Sequence, residues 1–291
     1  MKKILITGAN SYIGMSVEKY LINWNNSYSV DTLDMLDADW RRKDFGKYDI
    51  VYHVAGIAHA DVGAVTEEQK QLYYDVNTNL AIDVAEKAKK DGVGQFIFMS
   101  SMIVYSGCKE KIISRNTMPI PQNFYGDSKL QAEIGINKLA SEKFHVVILR
   151  PPMIYGKDSK GNYQRLAKLA VKTPIFPMVN NKRSMLYIEN LCEFVRLMIE
   201  NDESGVFFPQ NAEYTNTTEM VRMIAKKHNH GVLVVHGVSW IIWMLQKIPG
   251  KIGTLVSKAF GDSAYEMDMS IYKERYCIYS LQQSIEITEK A

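Results

Sequence analysis

The chain of 291 residues lacks an excess of either charge sign, has few cysteines, and has no apolar run long enough to cross a bilayer. Each absence removes a class of protein. Its 35 basic and 32 acidic side chains leave a formal charge of +3 with no long run of one sign, so the balance nominates no nucleic-acid or lipid partner. Cys108, Cys192 and Cys277 are odd in number, far apart, and outside any Cys-x-x-Cys or Cys/His spacing that holds zinc. A reducing, cytoplasmic setting without a resident metal is expected. Met1 leads directly into a strand, without the basic, apolar and small-residue regions of a secretory signal. The most apolar stretch, from Val238 to Phe260, is broken by Gln246, Lys247, Pro249, Gly250 and Lys251, and falls short of the ~20 residues a spanning helix needs. It reads as two buried or interface helices including Trp240 to Leu245, with peripheral membrane contact as the second reading.

What is present is alternation. Short apolar runs at Lys3 to Thr7, Tyr28 to Leu33, Asp49 to Ala55, Gln95 to Ser100 and Phe144 to Leu149 read as strands. Helical spacing fills the gaps, from Tyr12 onward, over Glu67 to Lys90, and over Tyr125 to Glu142. The first half is therefore an α/β doubly wound parallel sheet of Rossmann type, spanning 1–150 with room for chain returning from the second half, and with a ligand at the carboxyl ends of its strands. Past Pro151 the rhythm loosens, with one clear helix near Asn190 to Asn201, and residues 151–291 read mainly as a smaller substrate-binding lobe.

The turn Thr7 to Gly14 (TGANSYIG) joins the first strand to its helix in the place where a pyrophosphate is held by backbone N–H groups. Gly8, Asn10, Ser11, Tyr12, Ile13 and Gly14 are the candidate contacts. Ser11 stands where such loops usually carry a middle glycine, and its small side chain still permits close approach. At the end of the second strand, Asp34 rather than Asp31 is the candidate for the ribose hydroxyls, which selects NAD over NADP because a carboxylate repels a 2′-phosphate. Ser101 follows a strand, and Tyr125 and Lys129 lie one helical turn apart, so phenol and ammonium share a face. A cation beside a phenol lowers a pKa that is otherwise ~10, and a serine hydroxyl can orient the oxygen being protonated. Tyr105 and Lys109 have the same spacing, but Gly107 interrupts it.

This ordered set resembles the extended short-chain dehydrogenases/reductases, in their nucleotide-sugar epimerase/dehydratase group. The matching stretches are TGANSYIG, DIVYHVAG ending at Gly56, Asn77, SSMIVYSG, YGDSK, LRPPMIYG at Leu149 to Gly156, and KRSMLYIENL at Lys182 to Leu191. The resemblance implies Ser101 as polarising hydroxyl, Tyr125 as acid–base, and Lys129 as its modulator and ribose ligand. Ala55, Gly56 and Asn77 then line the cofactor, while His53 packs in its strand. Ser101, Met102, Asn162 and Arg183 are the implied substrate contacts, the arginine gripping a diphosphate. A homodimer through the helices of Glu67 to Lys90 and Tyr125 to Glu142 is also implied. Met153 departs from the asparagine of relatives, and no acid follows Ser101 in Met102-Ile103-Val104, which disfavours dehydration and decarboxylation. The expected activity is epimerisation at C4 of a UDP-linked or other nucleotide sugar, in the making of surface polysaccharide. The alternatives are reduction of a 4-keto sugar and, in a different class, a dinucleotide-binding sensor or assembly protein without turnover.

Overall fold

The computed structural model describes residues 1–24, 26–58, 66–237, 240, 244, 247–248, 256 and 260–290. Most of the apolar stretch 238–260, with the helices expected there, lies outside the described residues.

Six parallel strands form the central sheet, in the order β10-β6-β4-β3-β1-β2. They are β1 (Lys2–Thr7), β2 (Tyr28–Leu33), β3 (Ile50–His53), β4 (Gln95–Met99), β6 (His145–Leu149) and β10 (Gly205–Phe207). β2 lies on one side of β1 and β3 on the other, so the strand order reverses at β1. That reversal opens a crevice at the carboxyl ends of β1 and β3.

The central strands β1, β3, β4 and β6 are buried on both faces over most of their length, which is why they read as continuous apolar runs, while the edge strands β2 and β10 are partly exposed. Alternate residues feed two cores. Ile4, Ile6, Tyr52, Ile97, Val147 and Leu149 face one, with α1 (Tyr12–Ile22) and α6 (Ile188–Glu200) packed over them. Leu5, Val51, Phe96, Phe98, Val146 and Ile148 face the other, covered by α3 (Leu80–Lys90) and α4 (Phe124–Asn137).

The doubly wound sheet is thus as expected, with adjusted limits. β3 stops at His53 because the N–H groups of Val54 and Ala55 both turn to Thr7 O, at 3.0 Å. The helix expected over Glu67 to Lys90 is α2 (Glu67–Tyr74), a π-helical turn at Asp75–Asn79, and α3. The sheet also draws its edge strand β10, and the covering helix α6, from the second half of the chain. The rest of that half contributes α5 (Asn162–Ala170), α7 (Thr217–Lys227), α8 (Leu281–Thr288) and strands of three two-stranded parallel ladders, one of which takes its partner strand from the first half. These pair β7 (Met153–Tyr155) with β9 (Met185–Tyr187), β8 (Ile175–Pro177) with β11 (Leu233–Val235), and β5 (Ile112–Ile113) with β12 (Ala264–Tyr265). Among the described residues no helix is long and apolar enough to cross a membrane.

Candidate active site

The crevice beside β1 is shaped by glycines that have no room for a side chain. Gly8 has φ +110°, and a Cβ there would stand 2.6 Å from Ala55 N. Backbone therefore meets backbone where the strand order reverses. The N–H groups of Gly8 and Ala9 donate to Leu33 O, at 2.9 and 3.2 Å, so the loop is tied to the end of β2 immediately before Asp34. Asn10 takes φ +65°, and Ser11 is the N-cap of α1, its hydroxyl accepting from Gly14 N at 3.1 Å. The N–H groups of Tyr12 and Ile13, in the first helical turn, have no intrahelical acceptor and face an incoming anion. Ser11, expected as a tolerated residue at the pyrophosphate, also starts the helix: its oxygen accepts as the N-cap and its O–H remains a donor. Gly14 has a second reason to be glycine, since its Cβ would stand 2.6 Å from Ser11 Oγ.

The two acids near the end of β2 are separated by their partners. Asp31 accepts from Tyr48 OH at 2.6 Å and lies 3.8 Å from Lys47 Nζ. Asp34 is exposed and spends Oδ1 on Leu36 N, at 2.9 Å. Arg41 and Arg42 are drawn to Asp83 and Asp39. The loop thus has a carboxylate beside it, while the neighbouring guanidinium groups are engaged elsewhere.

Past β3, Gly56 marks a second close approach. A Cβ there would lie 2.9 Å from Asn77 Oδ1 and 3.0 Å from Lys129 Nζ. Asn77, on the π-helical turn, is fully buried; its amide accepts from Ile57 N at 2.8 Å and donates to Ile57 O and Ser128 Oγ at 3.1 and 3.2 Å. It clamps the turn that lines the crevice. A π turn re-aims side chains within a helix, and such turns recur at functional sites.

Ser101 and Tyr125 meet across this cleft, with the serine side chain close enough to act on the phenol. Ser101 is the N-cap of a 3-10 turn and accepts from Ile103 N at 3.2 Å. Its neighbour Ser100 turns inward to Glu133, which also makes a bidentate ion pair with Arg150. Tyr125 is half-buried, with Tyr73 edge-on to its ring at 6.0 Å. Lys129 is 5% exposed; it donates to Met99 O at 3.0 Å, and its ammonium stands 4.8 Å from the Phe98 ring centre.

Charge in the cleft differs from the simplest expectation. Burial pushes the Tyr125 phenol up to about 12, with the nearby Ser101 hydroxyl pulling the other way. Burial pulls the Lys129 ammonium down to about 8, with Glu133 opposing. Lys129 is turned to Met99 O, and desolvation dominates the phenol. His53, held by Thr7 Oγ1 at 2.7 Å and sandwiched between Phe96 and Phe98, is lowered to about 3 by burial and then by the Lys129 charge. It is a packed strand residue. The Tyr105 decoy is likewise structural, with its hydroxyl held by Arg150.

Met102 links the cleft to the second lobe. Its sulfur accepts from Ser263 Oγ at 3.5 Å, and Ser263 bridges Arg183. Arg183 is half-buried, its backbone paired with Thr215 at 2.9 Å and its Nη1 donating to Gly261 O at 3.3 Å. Asn162 is exposed and opens α5. Tyr12 sends its ring to the same lobe, where a Cβ on Gly156 would stand 2.6 Å from the phenol oxygen. Sequence reasoning took Tyr12 only as a loop residue and missed Glu133 and Arg150, whose 17-residue separation is bridged only by folding. Among the described residues no group of three or more His, Cys, Asp or Glu could hold a metal ion.

A parallel sheet with a glycine crevice, an acid beside it, and a Ser/Tyr/Lys cleft defines a dinucleotide-dependent enzyme of the extended short-chain type. Residues 4–208 match the NAD dependent epimerase/dehydratase family, and the chain belongs to that family. It is 27% identical over 299 residues to a UDP-glucose 4-epimerase of Vibrio cholerae, covering 94% of this chain and 89% of the relative. It is 28% identical over 254 residues to an N-acetyl-alpha-D-glucosaminyl-diphospho-ditrans,octacis-undecaprenol 4-epimerase of Escherichia coli O157:H7, covering 80% and 74%. In fold it is similar to a UDP-glucuronic acid 4-epimerase from Bacillus cereus solved with NAD, at a TM-score of 0.69 and 21% identity, covering 99% of this chain and 97% of that one. The crevice fits the family's cofactor, since Gly8 and Gly56 leave room that a Cβ would fill and Asp34 stands beside the loop.

Proposed function

We propose that the protein epimerises C4 of a hexose carried on a diphosphate, with Tyr125, Ser101 and Lys129 as its catalytic residues. The observation that supports this reading is the convergence of Ser101, Tyr125 and Lys129 beside the Gly56 turn, where Lys129 lies one helical turn along α4 from Tyr125 and its ammonium would stand 3.0 Å from a Cβ on Gly56. The N–H groups of the glycine loop and the Asp34 carboxylate would hold NAD, and bound NAD supplies a hydride acceptor and donor. Tyr125 takes the proton of the C4 hydroxyl and later returns it. Ser101 donates to the same oxygen and steadies charge as it develops there. Lys129 leaves Met99 O for the cofactor ribose, and its charge then supports the phenolate. Arg183, reached through Met102 and Ser263, grips the diphosphate, and Asn162 at the start of α5 supports it.

The homodimer belongs to the same reading. Leu72 on α2 and Ile134 on α4 are exposed apolar residues on the helices assigned to it, at 51% and 45%, and sedimentation velocity would detect the pair.

Incubation of the purified protein with UDP-sugars tests the chemistry. Isomerisation without added cofactor, lost by about 10²-fold or more in Tyr125→Phe, is the expected result. Stoichiometric consumption of reduced cofactor with a 4-keto sugar would instead assign a reductase. Unchanged turnover in Tyr125→Phe would remove the catalytic assignment, leaving dinucleotide binding alone.

A further inference from the structure

Charge is unevenly divided along the second lobe. From Met220 to Gly261 the sequence contains no Asp or Glu, while Arg222, Lys226, Lys227, Lys247, Lys251 and Lys258 fall within it. With 35 basic and 32 acidic residues in all, removing those six turns the net charge from +3 to −3. Two of the protein's four tryptophans, Trp240 and Trp243, lie in the same stretch. Water-facing surfaces ordinarily intersperse the two signs.

The described residues put basic and apolar groups on the surface together. Arg222, Lys226 and Lys227 are exposed on α7, and Arg222, Lys226 and His230 border an open hollow over Met223 and Val232. Glu289 of α8 comes within 2.7 Å of His228, and Glu219 lies in the first turn of α7. In the β8–β11 ladder, Ile175 and Leu233 are register partners, and they are 54% and 65% exposed. Trp240, Met244 and Ile248 follow at spacings of four, and are 60%, 51% and 41% exposed. Val235 O accepts from Met178 N at 2.8 Å, and the Phe260 ring packs 5.9 Å from Phe176, so both residues lie against the β8 strand.

We propose that this face of the second lobe rests on a membrane surface bearing anionic lipid headgroups. Trp, Met, Ile and Leu enter the boundary between headgroup and acyl chain, while the lysines and arginine meet phosphate. A second copy of the chain is the poorer occupant, because a two-fold contact would set this acid-free stretch against itself. The contact is peripheral, reversible and salt-sensitive, and it stands independently of the C4 chemistry. It would bring the active cleft to sugars carried either in solution or on a lipid diphosphate.

Co-sedimentation of the full chain with phosphatidylcholine vesicles, with and without phosphatidylglycerol, tests this. The expected result is binding to the anionic vesicles only, released by high salt. Lys226→Glu combined with Lys227→Glu should weaken that binding by at least about tenfold. Trp240→Ala combined with Met244→Ala should also weaken it, with turnover of a soluble UDP-sugar unchanged in both double variants. Absent binding, or equal binding to neutral and anionic vesicles, would overturn the proposal. A change in the sedimentation coefficient of the Trp240 variant in lipid-free buffer would do so too, by assigning the face to contact between copies.

Discussion

Ser11 and Gly14 hold each other in place: the serine hydroxyl accepts from the glycine N–H at 3.1 Å, and a Cβ on the glycine would stand 2.6 Å from that hydroxyl. The residue that looks like a defect in the glycine loop is the cap of the helix that follows. Ser11→Gly should cost only a few tenths of a kcal/mol, since glycine is itself tolerated at an N-cap, and should leave dinucleotide affinity unchanged. Ser11→Leu removes the cap and crowds the crevice, so stability should fall by about 1 kcal/mol and dinucleotide affinity should fall with it. Gly14→Ala must displace Ser11 or the Gly8 carbonyl, 3.2 Å away, and should resemble the leucine variant. Urea unfolding and cofactor titration separate the three; equal affinity in Ser11→Leu would show that the loop does not approach the cofactor.

Glu133 and Arg150 form a buried pair behind the reactive serine, with the Glu133 and Arg150 side chains 3% and 11% exposed. Glu133 also accepts from Ser100, while Arg150 donates to Tyr105 and Tyr265 OH donates to Arg150 O at 2.9 Å. The pair therefore joins α4 to the β12 ladder of the second lobe. Breaking one partner of such a pair costs roughly 3–5 kcal/mol, because the other charge is left uncompensated. Glu133→Gln should lose about that much in chemical unfolding, and a loss below about 1 kcal/mol would show that Arg150 finds another partner.

The doubly wound sheet was legible because its central strands are buried on both faces, so Ile4, Leu5 and Ile6 read as one apolar run whichever core they serve. The site was legible where chemistry sits at short spacing, as with Tyr125 and Lys129. The second lobe was not, because ladders of two or three residues such as Ile112–Ile113 with Ala264–Tyr265 are too short to show a period and form only on folding. The π turn at Asn77 hid inside a continuous helical pattern. The orientation of Lys129 was equally hidden, since spacing puts it on the face of Tyr125 but only the fold sets Met99 O within 3.0 Å of its ammonium.

Lys129 carries a stability cost that its function would justify. Burial lowers its ammonium from 10.5 to about 8. Between those values the unfolded chain holds the proton more firmly than the folded one, so this group's contribution to stability rises with pH through that window. Below about 8 the full cost of a buried charge is present. Lys129→Met should thus stabilise the protein at pH 7 by roughly 3 kcal/mol, and by progressively less above pH 8, while cofactor affinity and turnover fall. Denaturant midpoints at pH 7 and pH 10 give the comparison. A destabilised methionine variant at pH 7 would mean that the bond to Met99 O outweighs the desolvation.

Gly56 tests whether Lys129 must stand where it does. Its φ lies outside the left-handed region, so alanine introduces no backbone strain, and only the space is contested. Of the two neighbours, Asn77 is fixed through Ile57 and Ser128, whereas Lys129 presents the end of a flexible chain. The alanine methyl should therefore displace the ammonium and leave the Asn77 clamp in place. Gly56→Ala is expected to fold with at most about 1 kcal/mol lost, and to bind dinucleotide about tenfold or more weaker, with kcat reduced in parallel. Gly56→Ala combined with Lys129→Met should be no worse in turnover than Lys129→Met alone, because both changes act through one ammonium. Additive losses in the double variant would show that the methyl acts on Asn77 or on the cofactor directly, and that the position of Lys129 is not what Gly56 protects.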